Sequence, residues 1–232
     1  LFTDGTFKAV RRIDTSGMLS TVAGGGSQGT TDGIAATEAT FPFPSDLTID
    51  EDGNIIVITG GGLINTFAGG GTGETDGIQA TASLLSFPTG LAVDGNGDVF
   101  VANNNLIRKI NTSGVISTVA GVTGSPFGDG GPATAAKLSD PTGLAVDGSS
   151  NLLISDKNNQ RVRSVEGIAG SPATPGTTVG GSSLVRGNVN AMPGVVTTLA
   201  GNGSVGSTDG VGGAASFNEP TGVAIRGSHL FV

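Results

Sequence analysis

A single histidine, His229, limits the acid–base and metal chemistry open to this sequence. A Ser-His-Asp triad has one available base, and a three-histidine zinc site cannot be assembled. His229 reads as a strand-edge residue beside the turn RGSH. There is no cysteine, so disulfides and thiolate metal sites are excluded. Two turns, DEDGN (Asp50–Asn54) and DGNGD (Asp94–Asp98), place side-chain oxygens at alternate positions, as the opening of a calcium loop does. Such a loop continues with Gly at its sixth position and Glu at its twelfth. Ile55 and Gly61 stand there in the first turn, Val99 and Asn105 in the second. Both stretches are therefore read as tight hairpin turns, and no catalytic, cofactor or metal residue is assigned.

Three other groups of polar residues recur. Asp-Gly pairs begin at Asp32, Asp76, Asp129 and Asp209. A ligand ring would use different residues from different repeats, whereas a structural turn is needed in each. The Asp is expected to bond its own loop backbone while the Gly supplies a positive φ. Cations recur at Arg11 and Arg12, at Arg108 and Lys109, and at Arg161 and Arg163. The expectation is that they guard edge strands against stray pairing, with a basic rim for an acidic partner as the alternative. Asn111-Thr112-Ser113 and Asn202-Gly203-Ser204 fit the N-glycosylation pattern, making Asn111 and Asn202 candidate glycan carriers. The Gly runs at 24–26 and 69–73 match no phosphate-binding loop.

The elements that position these residues follow from composition. Among 232 residues there are 42 Gly and ten Pro, with 36% hydrophobic and 13% charged residues, which describes a turn-rich all-β chain. Trp and Tyr are absent, so no indole or phenol platform exists for stacking a sugar. A formal charge of -8 opposes nucleic acid and anionic membrane. No apolar run reaches the roughly 20 residues of a membrane helix, so no membrane insertion is expected. The sequence opens at Leu1 without an initiator Met, which leaves a preceding leader or domain open.

The organisation is repetitive. STVAG (Ser20–Gly24), NTFAG (Asn65–Gly69), STVAG (Ser117–Gly121) and TTLAG (Thr197–Gly201) are each followed by a Gly-rich loop with Asp-Gly. A Pro and an alternating run come next: PSDLTID from Pro44, PTGLAVD from Pro88 and Pro141, and PTGVAIR from Pro220. The Asp-Gly pairs lie 44, 53 and 80 residues apart, a propeller-blade period with an insertion at 167–194 in the last interval. In the third complete cycle four strands are read: Gly143–Asp147, Asn151–Asp156, Arg161–Glu166 and Val195–Gly201. The second strand is apolar on both faces, as a strand buried between neighbouring blades must be. The first carries small residues, Gly143 and Ala145, where strands crowd near an axis.

The fold expected is thus an all-β propeller of four-stranded antiparallel blades, with four repeat units over residues 1–232 and repeat joins near 24–43, 69–87, 121–140 and 201–219. STVAG, GDGGPATAAKL and DPTGLAVDGSSNLLISDKNNQRVRSV, in that order, resemble the NHL-repeat family. The second cycle departs from that pattern, with TGGGLI (Thr59–Ile64) at the turn, and the third shortens the turn to NNNLIRKI (Asn103–Ile110). The amidating lyases that share NHL-type propellers use histidine-ligated zinc, which this sequence cannot reproduce. LFTDG at the start and HLFV at the end share one repeat phase. A closed four-blade ring, a larger ring and an open array are all compatible with it.

Three functions stay open at this point. The first is a non-catalytic NHL-type propeller serving as an extracellular or cell-surface interaction and scaffold module, with a protein partner and no cofactor. The second is a structural subunit of a filament or repeat array, its blades completed by strand exchange between copies of itself. The third is a propeller hydrolase or lyase with a channel metal.

Overall fold

The computed structural model describes residues 1–28, 34–41, 44–49, 55–58, 67–122, 128–167, 194–226 and 228–232. The turn Asp50–Asn54, the Asp-Gly at Asp32 and the stretch Thr59–Ile64 lie outside them. The chain divides into two compact units, Leu1–Leu85 and Ser86–Val232.

The first unit holds a three-stranded antiparallel sheet, β1 (Phe2–Asp4), β2 (Ala9–Ile13) and β3 (Leu19–Gly24), and a hairpin of β4 (Asp46–Ile49) and β5 (Ile55–Ile58). A short strand, β6 (Ile78–Gln79), follows. Val10, Ala23, Ala39, Phe41 and Val57 form its buried core.

The second unit contains two complete four-stranded sheets. β7 (Pro88–Val93), β8 (Val99–Asn103), β9 (Leu106–Ile110) and β10 (Val115–Ala120) pair consecutively and antiparallel. β11 (Pro141–Val146), β12 (Leu152–Asp156), β13 (Arg161–Val165) and β14 (Val196–Ala200) repeat that order. β15 (Ala224–Arg226) and β16 (His229–Phe231) form a final hairpin. The four strands read from the third cycle are thus found within a residue or two of their expected bounds.

Position within the blade sets burial. Every residue of β8 and of β12 is buried, as the double-sided apolar pattern requires. Phe100, Ile107, Leu138, Leu152 and Ile154 lie in one core with the alanines of the loops. The Pro-Thr-Gly element stitches one first strand to the next. Thr89 Oγ1 donates to the Pro141 carbonyl at 2.8 Å, and Thr142 Oγ1 to the Pro220 carbonyl at 3.5 Å. The glycine that follows allows the close approach: a Cβ on Gly143 would stand 2.7 Å from the Cα of Gly222.

The Ala-Gly pair closes the fourth strand. Gly24, Gly69, Gly121 and Gly201 all take positive φ, between 74° and 97°. Each N–H then donates to a carbonyl of the loop that follows, at Ala36, Ala80, Ala133 and Gly212. The insertion leaves one blade between its third and fourth strands. Its two ends are held side by side, with Glu166 N–H donating to Val195 at 3.0 Å. Residues 168–193 lie outside the described part.

Candidate functional site

The recurrent cations are not edge charges. β9 and β13 are third strands with a neighbour on each side, and Arg108 and Arg163 are fully buried there. Of the other recurrent cations, Arg12 is exposed and Arg11, Lys109 and Arg161 are half-buried. The expectation of edge protection, or of a basic rim, is corrected for Arg108 and Arg163 by that topology.

Around Arg163 the structure assembles a polar cluster. Its Nη1 lies 3.0 Å from Asp156 Oδ2, and its Nη2 meets Asp129 Oδ1. Thr198 Oγ1, on the neighbouring fourth strand, donates to Asp129 Oδ2 at 2.6 Å. Asp156 also accepts from Asn159 Nδ2 at 2.8 Å and from the Ser139 N–H at 2.8 Å. Burial raises the Asp156 carboxyl above the ordinary carboxylate range, against the lowering effect of Asn159, Ser139 and Arg163. These contacts tie β12, β13 and β14 to the loop that carries Asp129.

Asp129 is the Asp of a repeated Asp-Gly pair, and its role differs from the one expected. Its carboxylate reaches across 34 residues to Arg163 and 69 residues to Thr198 instead of capping its own loop. The glycine expectation holds at Gly77 and Gly130, both at φ 79°. Gly210 is different: it has no positive φ, and a Cβ there would press within 2.7 Å of the Ala214 backbone.

The turn Asp94–Asp98 is a tight hairpin turn. Asp94 Oδ1 accepts the N–H groups of Asn96 at 2.9 Å and Asp98 at 3.0 Å, and Gly97 N–H donates to the Asp94 carbonyl. Asp98 pairs with Lys109 and accepts the Thr112 N–H at 3.2 Å. Asp94 Oδ2 is buried without a partner among the described residues. No three of His, Cys, Asp and Glu converge as metal ligands among the described residues. His229 is an exposed strand residue with its ring 6.5 Å from that of Phe231. Asn111 and Asn202 are both exposed in turns, their side-chain oxygens accepting the N–H groups of Ser113 and Ser204.

One end of the second unit presents a row of residues that sequence reasoning missed. Phe87, Asp140 and Glu219 each precede the Pro of a first strand, and each sits at positive φ: 51°, 52° and 53°. A residue before Pro is normally extended, so this backbone is held by its surroundings. Asn105 Oδ1 accepts the Asp140 N–H at 3.0 Å, and Gln160 Oε1 accepts the Glu219 N–H at 2.6 Å. Lys157 Nζ lies 3.2 Å from Asp140 and 3.9 Å from Glu219. Phe87 is 83% exposed at the equivalent position. The signal was present in the recurring residue before each Pro, but its φ has no signature in residue type. Beside Glu219 an open cleft of about 590 Å³ is lined by Phe217, Pro220, Val223, Ala224, Phe231 and Val232.

Antiparallel four-stranded blades joined by such loops define a β-propeller-type chain. Residues 71–127 match the family model of the teneurin NHL domain, in line with the NHL resemblance read from the sequence. No curated protein matches the sequence. A protein of unknown function from Bacteroides thetaiotaomicron is similar in structure at 22% identity and TM-score 0.47, over 66% of this chain and 40% of that one. An auxiliary nutrient binding protein from the same organism gives 18% identity and TM-score 0.47, over 68% of this chain and 42% of the other. A streptogramin B lyase gives 16% identity and TM-score 0.41, over 71% and 47%. The chain therefore spans less than half the length of each.

Proposed function

We propose that the chain is a non-catalytic NHL-type propeller module that binds protein in an extracellular or cell-surface setting. The observation that carries this reading is Phe87, an aromatic 83% exposed at a backbone φ of 51° immediately ahead of β7. A large apolar side chain held in a strained backbone away from any core is a feature of binding surfaces. The buried Arg163 cluster supports the reading as well, because its charges are committed to architecture. The teneurin NHL match favours an extracellular setting. No helix among the described residues is long and apolar enough to cross a membrane. The test compares proteins captured from extracellular extracts by the wild-type chain and by Phe87→Ser. Retention by the wild type alone supports the reading, and equal capture by both overturns it.

A further inference from the structure

We propose that the pre-proline face of the second unit, Phe87 with Asp140 and Glu219, docks a cationic segment of a protein partner, one that carries Lys or Arg beside an apolar residue. The proposal rests on the interaction reading and names the chemistry of the partner.

Position supplies the first argument. Thr89 Oγ1 donates to the Pro141 carbonyl and Thr142 Oγ1 to the Pro220 carbonyl, so the three Pro-Thr-Gly elements lie side by side. Phe87, Asp140 and Glu219 each stand one residue ahead of such an element. Asn105 Oδ1 and Gln160 Oε1 accept the N–H groups of Asp140 and Glu219, each from the turn between the second and third strands of the preceding blade. Both carboxylates are thus placed by contacts inside the unit.

Charge supplies the second. Lys157 Nζ reaches both acids, at 3.2 Å from Asp140 Oδ2 and 3.9 Å from Glu219 Oε2. One ammonium between two carboxylates leaves the group net negative. The acids face water, with 43% and 60% of their side chains exposed, whereas Lys157 is only 26% exposed. The ion pairs engage Oδ2 and Oε2, which leaves Asp140 Oδ1 and Glu219 Oε1 to an incoming Lys or Arg. Phe87 adds an open aromatic ring on the neighbouring strand end, able to take the alkyl stem or the cation of such a side chain. A formal charge of -8 on the whole chain attracts a positive partner and repels an acidic one. An aromatic flanked by carboxylates therefore matches a basic segment with an apolar neighbour, and opposes an acidic segment of the same size.

The test is fluorescence anisotropy of two labelled peptides of equal length on the whole chain, one of Lys-Leu-Ser repeats and one of Glu-Leu-Ser repeats. The first is expected to bind and the second not. Asp140→Asn with Glu219→Gln keeps size and removes the charge, and is expected to weaken the Lys-Leu-Ser peptide about tenfold, as for loss of a charge-assisted bond. Glu38→Gln with Asp209→Asn removes the same charge from exposed positions elsewhere and is expected to bind as the wild type does. Circular dichroism confirms that both double variants are folded. Absence of binding to the wild type, or equal weakening in the two double variants, overturns the cationic partner. The same proteins then enter the capture from extracellular extract. Capture that needs Phe87 but persists in Asp140→Asn with Glu219→Gln overturns the cationic partner and leaves the interaction reading standing. Equal capture by the wild type and Phe87→Ser overturns both.

Discussion

Arg163 and Asp156 form an ion pair from which water is excluded: Nη1 and Oδ2 are 3.0 Å apart and both side chains are fully buried. Such a pair contributes little over a well-packed apolar pair, but removing one partner strands the other charge. Arg163→Met is therefore expected to destabilise the second unit by about 3–5 kcal/mol. Urea unfolding followed by circular dichroism measures it. An effect below about 1 kcal/mol would show that water reaches Asp156.

Asp156 also gives stability a pH dependence with a definite sign. Its folded pKa is raised above the ordinary 3.8, so the native state holds this proton more tightly than the unfolded chain does. Stability attributable to Asp156 therefore rises as pH falls from the raised value toward 3.8 and levels off below it. Subtracting Asp156→Asn isolates the effect from other carboxylates. The difference between wild type and Asp156→Asn is expected to move in favour of the wild type as the pH drops through that window. A shift in the opposite direction would mean that Arg163, not burial, dominates the site.

The close passage at Gly143 makes a steric prediction. A methyl group there meets Gly222 Cα at 2.7 Å and the Val223 nitrogen at 2.7 Å, both backbone atoms that cannot swing aside. Gly143→Ala is expected to cost about 2 kcal/mol or more, as overpacking does. Gly213→Ala is the control, since a Cβ there meets nothing within 4 Å and its φ is not positive. Thermal unfolding of the two variants separates them, and equal midpoints would refute the inter-strand contact.

The repeat and its strands were legible because they are written locally. Alternation in PTGLAVD, the double-sided apolar run in LLISD and the small residues after each Pro are all features of neighbouring residues. The polar cluster was not, because Asp129 finds Arg163 only after the loop has folded back over its own blade. A sequence signal existed nonetheless. Arg11 and Thr21, and Arg108 and Thr118, stand ten residues apart on third and fourth strands, while the insertion stretches the Arg163–Thr198 spacing and hides the third copy. Four strands per blade already implied that the third is no edge, so edge protection conflicted with the predicted topology itself. The pre-proline row was hidden for another reason: Phe87, Asp140 and Glu219 share a φ, although one is aromatic and two are acidic.

Two equivalent turns predict opposite effects of one exchange. Asn151 Nδ2 donates to Asp147 Oδ2 at 2.8 Å, whereas Asp98 occupies the same place opposite Asp94, whose Oδ2 is buried without a partner among the described residues. Asn151→Asp sets two carboxylates against each other and is expected to cost about 1–2 kcal/mol. Asp98→Asn supplies the missing donor and is expected to gain about 0.5 kcal/mol, net of the partly exposed pair with Lys109. Chemical denaturation of both variants reads the difference, and a change of the same sign in both would break the equivalence.

Phe87 allows strain and binding to be separated. At φ 51° a phenylalanine pays a backbone cost that asparagine largely avoids, and with 83% of its surface exposed it offers the fold little burial in return. Phe87→Asn is expected to raise stability by about 0.5–1 kcal/mol while abolishing capture of whatever protein the exposed ring binds. Thermal unfolding and capture from extracellular extract are measured on the same preparation. A gain in stability with lost capture marks Phe87 as a binding residue held at the expense of the fold. A loss of stability would instead assign the ring a packing role and remove the observation on which the interaction reading stands.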